Sequence, residues 1–192
     1  LPKPYYSSTF VVDRMIRYID DGRASGKPFF ASINFLANHI PVQASDADIA
    51  AYAVRYASGW TALRDQRRTG AISKNMMPAG VRMVTMKSTA DWAKLSSEDK
   101  AQRSGAMTAY AAMATAMDRE VGRLVAHLKA SGDYENTIFV FLSDNGAEAT
   151  DPMAMGRMAS ANARYFYDQS IAQQGRPGSL TAIGAGFASA AA

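Results

Sequence analysis

The chain has 192 residues, of which 48% are hydrophobic and 20% are charged, and its formal net charge is +4. Such a chain is long enough to bury the core of one globular domain, and its mild positive charge does not favour nucleic acid as a partner. The absence of cysteine excludes disulfides, zinc–thiolate sites and a cysteine nucleophile from this stretch, and no apolar run approaches the roughly 20 residues of a membrane-spanning helix.

The first half of the chain predicts a helix, a buried strand and a loop-rich stretch. Apolar residues at helical spacing follow the potential N-cap hydroxyls of residues 7–9 and predict a helix that ends near Gly22, namely Val12, Met15, Ile16 and Ile19. The run 29–35 (FFASINF) is almost wholly apolar, which is typical of a strand buried in a parallel sheet. A short helix is predicted within residues 46–60, and we interpret residues 61–95 as a loop-rich surface excursion.

The second half predicts a long helix and a second buried strand. Ser96 or Ser97 caps the helix and Gly132 ends it. Residues three or four positions apart form its core-directed face, namely Tyr110, Met113, Met117, Val121, Leu124 and Leu128. The apolar run 137–143 follows, whereas the Gly- and Ala-rich residues 182–192 offer no clear closing element. The order indicates an α/β fold with a partial, doubly wound and mostly parallel sheet flanked by helices.

Polar side chains follow both predicted strands. His39 comes after the first strand, and Asp144, Asn145 and Gly146 come directly after the second. Because parallel strands end at the same edge of an open α/β sheet, where ligands bind, we expect these side chains to converge there. Histidine exchanges protons near neutral pH, and carboxylate and amide oxygens are ligands for Ca²⁺ or Mg²⁺. Taken alone, however, Asp-Asn-Gly is also an ordinary turn sequence, and an isolated histidine is more often structural than catalytic.

Several segments resemble bacterial arylsulfatases in the same order along the chain. Residues 26–30 (GKPFF) and 38–43 (NHIPVQ) resemble the KPFF and PHxPLQ segments of that family, and residues 141–148 (FLSDNGAE) resemble its FLSDNGAEG box. The long helix is similar to the corresponding sulfatase helix at Tyr110–Met113, Met117–Arg119 and Gly122–Leu124. Since order and spacing agree from about Tyr6 to the end of the chain, the resemblance is more specific than any one motif.

The resemblance implies a fold like that of alkaline phosphatase and hydrolysis of a small-molecule sulfate ester. It implies a formylglycine nucleophile made from Cys or Ser, and a Ca²⁺ ion, with Mg²⁺ as the weaker alternative, bound in part by Asp144 and Asn145. It also implies that His39 contacts the sulfate ester and is a candidate proton donor to the leaving oxygen. No nucleic acid partner and no membrane span are expected. The sequence decides neither the oligomeric state nor the compartment, whether periplasm or cytoplasm.

The match is incomplete, because the nucleophile motif Cys/Ser-x-Pro-x-Arg of the family is missing. None of the seven prolines follows a Ser or Cys by two positions, and Asp20 and Asp21 end a helix, whereas the metal-binding Asp pair of the family follows an N-terminal strand. Asn38 and Ile40 stand where the family usually has Pro and often has Trp. We therefore interpret residues 1–192 as the central portion of a single sulfatase-like catalytic domain and predict that the isolated chain is inactive.

Two alternatives stay open from the sequence. A phosphonate or phosphodiester hydrolase of the same superfamily would differ in its nucleophile and in its metal ions. The segment that carries the nucleophile is missing from this chain, so the motifs found here do not distinguish the two enzymes. A non-catalytic remnant, retained only for binding, would lack the nucleophile altogether. The coding sequence on either side of the chain discriminates between these readings, because an upstream Cys/Ser-x-Pro-x-Arg motif would support the sulfatase.

Overall fold

The computed structural model describes residues 4–83, 89–149 and 170–191. The α-helices in these ranges are α1 (Ser7–Gly22), α2 (Asp46–Ala50), α3 (Gly59–Ser73), α4 (Ser97–Ala130) and α5 (Gly184–Ala191), and short 3₁₀ helices lie between them. The chain divides into two compact units, of which the first comprises Leu1–Asn38 and Met113–Ser143 and the second comprises His39–Ala112 and Asp144–Ala192. None of the helices in the described part of the chain combines the length and apolar character that a bilayer crossing requires.

The first unit packs α1 alongside the C-terminal half of α4. Three polar contacts join the two helices, and their residue numbers rise together along both: Thr9–Glu120 at 2.8 Å, Asp13–Arg123 at 2.6 Å and Asp20–His127 at 2.9 Å. The two helices therefore run in the same direction. The predicted first helix is confirmed, but its start differs from expectation, because Tyr6 is the N-cap residue and no side chain caps the helix.

The long helix α4 begins and ends where the sequence predicts. The hydroxyl of Ser96 accepts a hydrogen bond from the backbone N–H of Asp99 at 3.0 Å, which satisfies one of the free donors of the first turn. After the helix, Gly132 has φ of +80°, a conformation that favours glycine. Of the predicted core face, Met113 and Leu128 are buried and the other members are partly exposed. Small side chains share the buried positions of this helix, namely Ala106, Ala109, Ala112 and Ala116.

The second unit is built around a cluster of aromatic rings between α3 and α5. Phe187 of α5 is completely buried, and its ring makes edge contacts with Tyr56, Trp60 and Trp92. Two predictions are wrong here. Helix α3 occupies the first part of the stretch interpreted as a loop-rich excursion at 61–95, and α5 closes the chain where no element was expected. Both helices have weak sequence signals, because α3 has few buried residues and most of the buried residues of α5 are Gly or Ala.

The predicted sheet is unconfirmed. Residues 29–35 and 137–143 are neither helix nor strand, and no β-strand is assigned anywhere in residues 4–83, 89–149 and 170–191. The apolar side chains of these two runs are largely open to solvent, with Phe30 96% and Ile138 91% exposed. A strand exists only when neighbouring strands accept and donate its backbone hydrogen bonds, and such neighbours are not found in the described ranges.

Candidate functional site

His39 lies in an exposed loop of the second unit, directly before the cis Ile40–Pro41 peptide bond. Its Nδ1 atom is 2.6 Å from the carbonyl oxygen of Ile40. Because a carbonyl oxygen can only accept a hydrogen bond, Nδ1 carries the hydrogen in this contact. The other ring nitrogen, Nε2, is consequently the atom that can exchange a proton with a ligand, as in other histidines whose ring is oriented through one nitrogen.

The segment immediately after His39 is held firmly against the body of the second unit. Val42 and Ala44 are only 1% and 3% exposed. The backbone N–H of Val42 donates to the carbonyl of Thr181 at 2.9 Å, and that of Ala44 donates to the carbonyl of Gly175 at 2.8 Å. Between these two bonds, the side-chain amide of Gln43 donates to the carbonyl of Ser179 at 2.8 Å. The exposed histidine therefore stands next to a segment that is fixed on both its backbone and its side-chain atoms.

The partner of that segment is the loop Gly175–Thr181, which is itself held by buried hydroxyl groups. The backbone N–H of Gly175 donates to Thr181 Oγ1 at 2.7 Å, and the hydroxyls of Ser179 and Thr181 lie 3.0 Å apart. Ser179 and Thr181 are 1% and 4% exposed. Sequence reasoning missed both residues. Their only signal is that small polar residues follow a glycine-rich turn, and this pattern is common in loops of any function.

Asp144 and Asn145 form an exposed bend in the second unit, directly after the apolar run 137–143. The segment is anchored just beyond the bend, because Ala147 packs against the aromatic cluster. His39, Asp144 and Asn145 thus belong to the same compact unit. Their convergence on one ligand stays a prediction.

The donors at this bend suit a hard cation but are too few to complete its site. A carboxylate and an amide oxygen are of the kind that Ca²⁺ prefers, yet this ion takes six to eight oxygen ligands. Across residues 4–83, 89–149 and 170–191, no group of three or more His, Asp or Glu side chains is arranged to hold a metal ion. Asp144 and Asn145 therefore fit as part of a metal site whose other ligands must come from elsewhere.

The remaining acidic pair and the second histidine have structural roles in the first unit. Asp20 accepts hydrogen bonds from Arg23 at 3.2 Å and lies 2.9 Å from the His127 ring, while Asp21 pairs with Arg17 at 3.6 Å. This agrees with the prediction that Asp20 and Asp21 are not the metal-binding pair of the family. Such partly exposed ion pairs contribute little stability each, about 0–1 kcal/mol.

The family model for Sulfatase matches residues 1–178 of this chain. An uncharacterized sulfatase of Schizosaccharomyces pombe is 32% identical over 194 residues, which cover 98% of this chain and 34% of that protein. An arylsulfatase of Klebsiella aerogenes is 30% identical over 186 residues, covering 96% of this chain and 39% of its own length. The multifunctional alkaline phosphatase superfamily protein PehA of Trinickia caryophylli is 27% identical over 169 residues, which cover 82% of this chain and 30% of that protein. The chain therefore spans about a third of the length of these curated relatives.

Proposed function

The chain belongs to the sulfatase family, and from that premise we propose that the whole protein hydrolyses sulfate esters of small molecules. The observation that carries the proposal is the family match over residues 1–178, which includes both His39 and the Asp144–Asn145 bend. The arylsulfatase similarity favours an aryl or alkyl sulfate as the substrate class. Since this chain covers only part of its relatives, the proposal concerns the full-length protein.

In the proposed reaction, His39 supplies the proton that the leaving group needs. When the S–O bond to the alcohol or phenol breaks, the departing oxygen takes the bonding electrons and becomes strongly basic. Proton transfer from His39 Nε2 to this oxygen neutralises it, which is general acid catalysis. The hydrogen bond from Nδ1 to the Ile40 carbonyl supports this assignment, because it orients the ring and leaves Nε2 free for the transfer.

Asp144 and Asn145 would hold part of a divalent cation site, for which we propose Ca²⁺ ahead of Mg²⁺. The bound ion would neutralise charge on the sulfate oxygens. The two side chains are exposed at a bend, where a cation and further ligands have room to approach. The formylglycine nucleophile would derive from a Cys or Ser of a Cys/Ser-x-Pro-x-Arg motif, which this chain does not contain.

We further propose that residues 29–35 and 137–143 are strands of a parallel sheet in the full-length protein. Their exposed apolar side chains support this, because a row of such residues in water is costly unless another element covers it. Amide hydrogen exchange provides the test. Slow exchange at residues 138–142 is expected in the full-length protein and fast exchange in the 192-residue chain, whereas fast exchange in both would contradict the proposal.

The activity is tested by comparing the two histidines of the chain in the full-length protein. With phenyl sulfate as substrate, whose leaving group needs a proton, we expect His39→Ala to lower kcat by about 10²–10⁴-fold, the usual contribution of a general acid. His127→Ala is the matched control and should leave kcat unchanged, because His127 contacts Asp20 on the neighbouring helix. A chelator that removes divalent cations should abolish turnover, and the isolated 192-residue chain should be inactive. Wild-type turnover by the His39→Ala variant would refute the assigned role.

A second candidate is a phosphonate or phosphodiester hydrolase of the same superfamily. The similarity to a multifunctional alkaline phosphatase superfamily protein favours including it. Comparing kcat/KM for 4-nitrophenyl sulfate with that for a phosphonate monoester and a phosphodiester of 4-nitrophenol separates the two. A higher value for either phosphorus substrate would favour this candidate. Turnover of none of the three would favour a non-catalytic protein.

A further inference from the structure

We propose that Gln43 and Thr181 are positioning residues for His39. In this inference, which rests on the proposed function, the loop Gly175–Thr181 is a clamp that fixes where the imidazole can deliver its proton. Neither residue is assigned a catalytic contact, since both would act through the segment that follows His39.

Among the residues that the structure describes, His39 has little support from contacts of its own ring. The ring is exposed, and within residues 4–83, 89–149 and 170–191 its hydrogen bond is to the adjacent residue, Ile40. That bond orients the ring relative to its own backbone but does not fix the backbone in the molecule. The position of the ring therefore depends in part on the anchored residues that follow it, Val42 and Ala44.

Thr181 holds both of those residues. Its carbonyl oxygen accepts directly from the Val42 N–H at 2.9 Å. Its hydroxyl accepts from the Gly175 N–H at 2.7 Å, and the Gly175 carbonyl in turn accepts from the Ala44 N–H at 2.8 Å. The contact between Gly175 and Thr181 is buried, so loss of the hydroxyl would leave the Gly175 N–H without an acceptor and shift the clamp.

Gln43 adds a side-chain bond at the centre of the clamp. Its amide donates to the Ser179 carbonyl at 2.8 Å, between the two backbone bonds of Val42 and Ala44. Three consecutive residues are thus tied to one loop. A general acid acts over a hydrogen-bond distance, so a displacement of about 1 Å is enough to cost up to roughly 100-fold in rate.

The test measures kcat of the full-length protein with two aryl sulfates that differ in leaving-group ability. Phenolate leaves poorly and needs a proton, whereas 4-nitrophenolate leaves well and needs it less. We expect Thr181→Val and Gln43→Met to lower kcat for phenyl sulfate by about 10- to 100-fold, with a smaller loss for 4-nitrophenyl sulfate and little change in KM. Thr181→Ser keeps the hydroxyl and should restore the rate.

Two controls separate positioning from general structural damage. Thr9→Val removes a partly buried hydrogen bond to Glu120 in the other unit, and any loss it causes should be equal for both substrates. In a His39→Ala background, Thr181→Val should have no further effect, because positioning acts through the missing ring. If Thr181→Val does not fold, the Gln43→Met variant decides the matter in the same way.

The possible outcomes distinguish this inference from the function on which it rests. Equal losses for both substrates, or an undiminished effect of Thr181→Val without His39, would overturn the positioning role while leaving the sulfatase assignment intact. Unchanged kcat in both Thr181→Val and Gln43→Met would also overturn the positioning role and leave the sulfatase assignment intact. Absence of any sulfate ester turnover by the wild-type protein would overturn the proposed function, and this inference with it.

Discussion

Replacing Phe187 by alanine tests how much of the second unit depends on its aromatic cluster. The Phe187 ring is completely buried and lies 5.5 Å from the Trp60 ring, 5.9 Å from the Trp92 ring and 6.1 Å from the Tyr56 ring, between centroids. It sits in the eight-residue helix α5 (Gly184–Ala191). A helix this short does not persist without tertiary packing, and the contact of Phe187 with Trp60 is one of the attachments of α5 to α3.

The expected cost is large compared with the stability of a typical domain. Truncating a buried phenylalanine to alanine lowers the free energy of unfolding by about 3–5 kcal/mol, through lost burial and the cavity left behind. Edge contacts with aromatic rings add about 0.5–1.5 kcal/mol for each pair, which places Phe187→Ala in the upper part of that range. Phe187→Leu fills most of the same space and should cost only about 1–2 kcal/mol. For comparison, the free energy of unfolding of a typical domain is about 5–15 kcal/mol.

Urea unfolding followed by tryptophan fluorescence measures this directly in the 192-residue chain. The chain has two tryptophans, Trp60 and Trp92, and both rings contact Phe187. The emission of the folded Phe187→Ala variant should also change, because water or neighbouring side chains replace the ring. A loss below about 1 kcal/mol for Phe187→Ala, or equal losses for the Ala and Leu variants, would refute the reasoning from cavity formation.

Two further predictions concern the same unit and its surroundings. A Cβ atom added at Gly186 would lie 2.5 Å from Trp60 Cε3, so Gly186→Ala should lower stability by about 1–3 kcal/mol, whereas Gly122→Ala, in open space on α4, should raise it by up to about 1 kcal/mol. Thermal unfolding checks these opposite signs, and a stabilised Gly186→Ala would contradict the packing. Burial raises the pKa of the Tyr56 hydroxyl. Unfolded tyrosine ionises near pH 10 and the folded residue only at higher pH, so stability falls as pH rises above about 10. In Tyr56→Phe, Tm should therefore decrease less steeply as pH rises above about 10. An unchanged dependence of Tm on pH would contradict the raised pKa of Tyr56.

The helices were predictable from the sequence where the apolar pattern is strong. In α1 the buried residues Val12 and Ile19 follow the 3.6-residue period, and in α4 the Ser96 cap and Gly132 mark the two ends. Helix α3 was not predicted, because its buried residues, Gly59 and Trp60, both lie at its start. The rest of that helix has no apolar stripe for the periodicity to reveal.

The sequence predicts residues for the candidate site but not the contacts around them. The order of the sulfatase-like segments predicts His39, Asp144 and Asn145 as site residues, whereas each of these residues alone is a weak signal. The contacts that hold Val42 and Ala44, in the segment after His39, involve Thr181 and Gly175, more than a hundred positions away in the chain. Such pairing depends on tertiary structure, and no local pattern of charge or hydrophobicity specifies it.

Residues 170–191 contact the segments beside both His39 and the Asp144–Asn145 bend, and they include most of the stretch 182–192, in which no closing element was predicted. The loop Gly175–Thr181 holds the His39 side, and Gly175 lies so close to α4 that an added Cβ would be 2.4 Å from Ala109 Cβ. The same segment continues into α5, whose Phe187 fills the aromatic cluster against which Ala147, next to the Asp144–Asn145 bend, also packs. We therefore expect a change in how this segment docks to displace both the segment after His39 and the bend at Asp144 and Asn145.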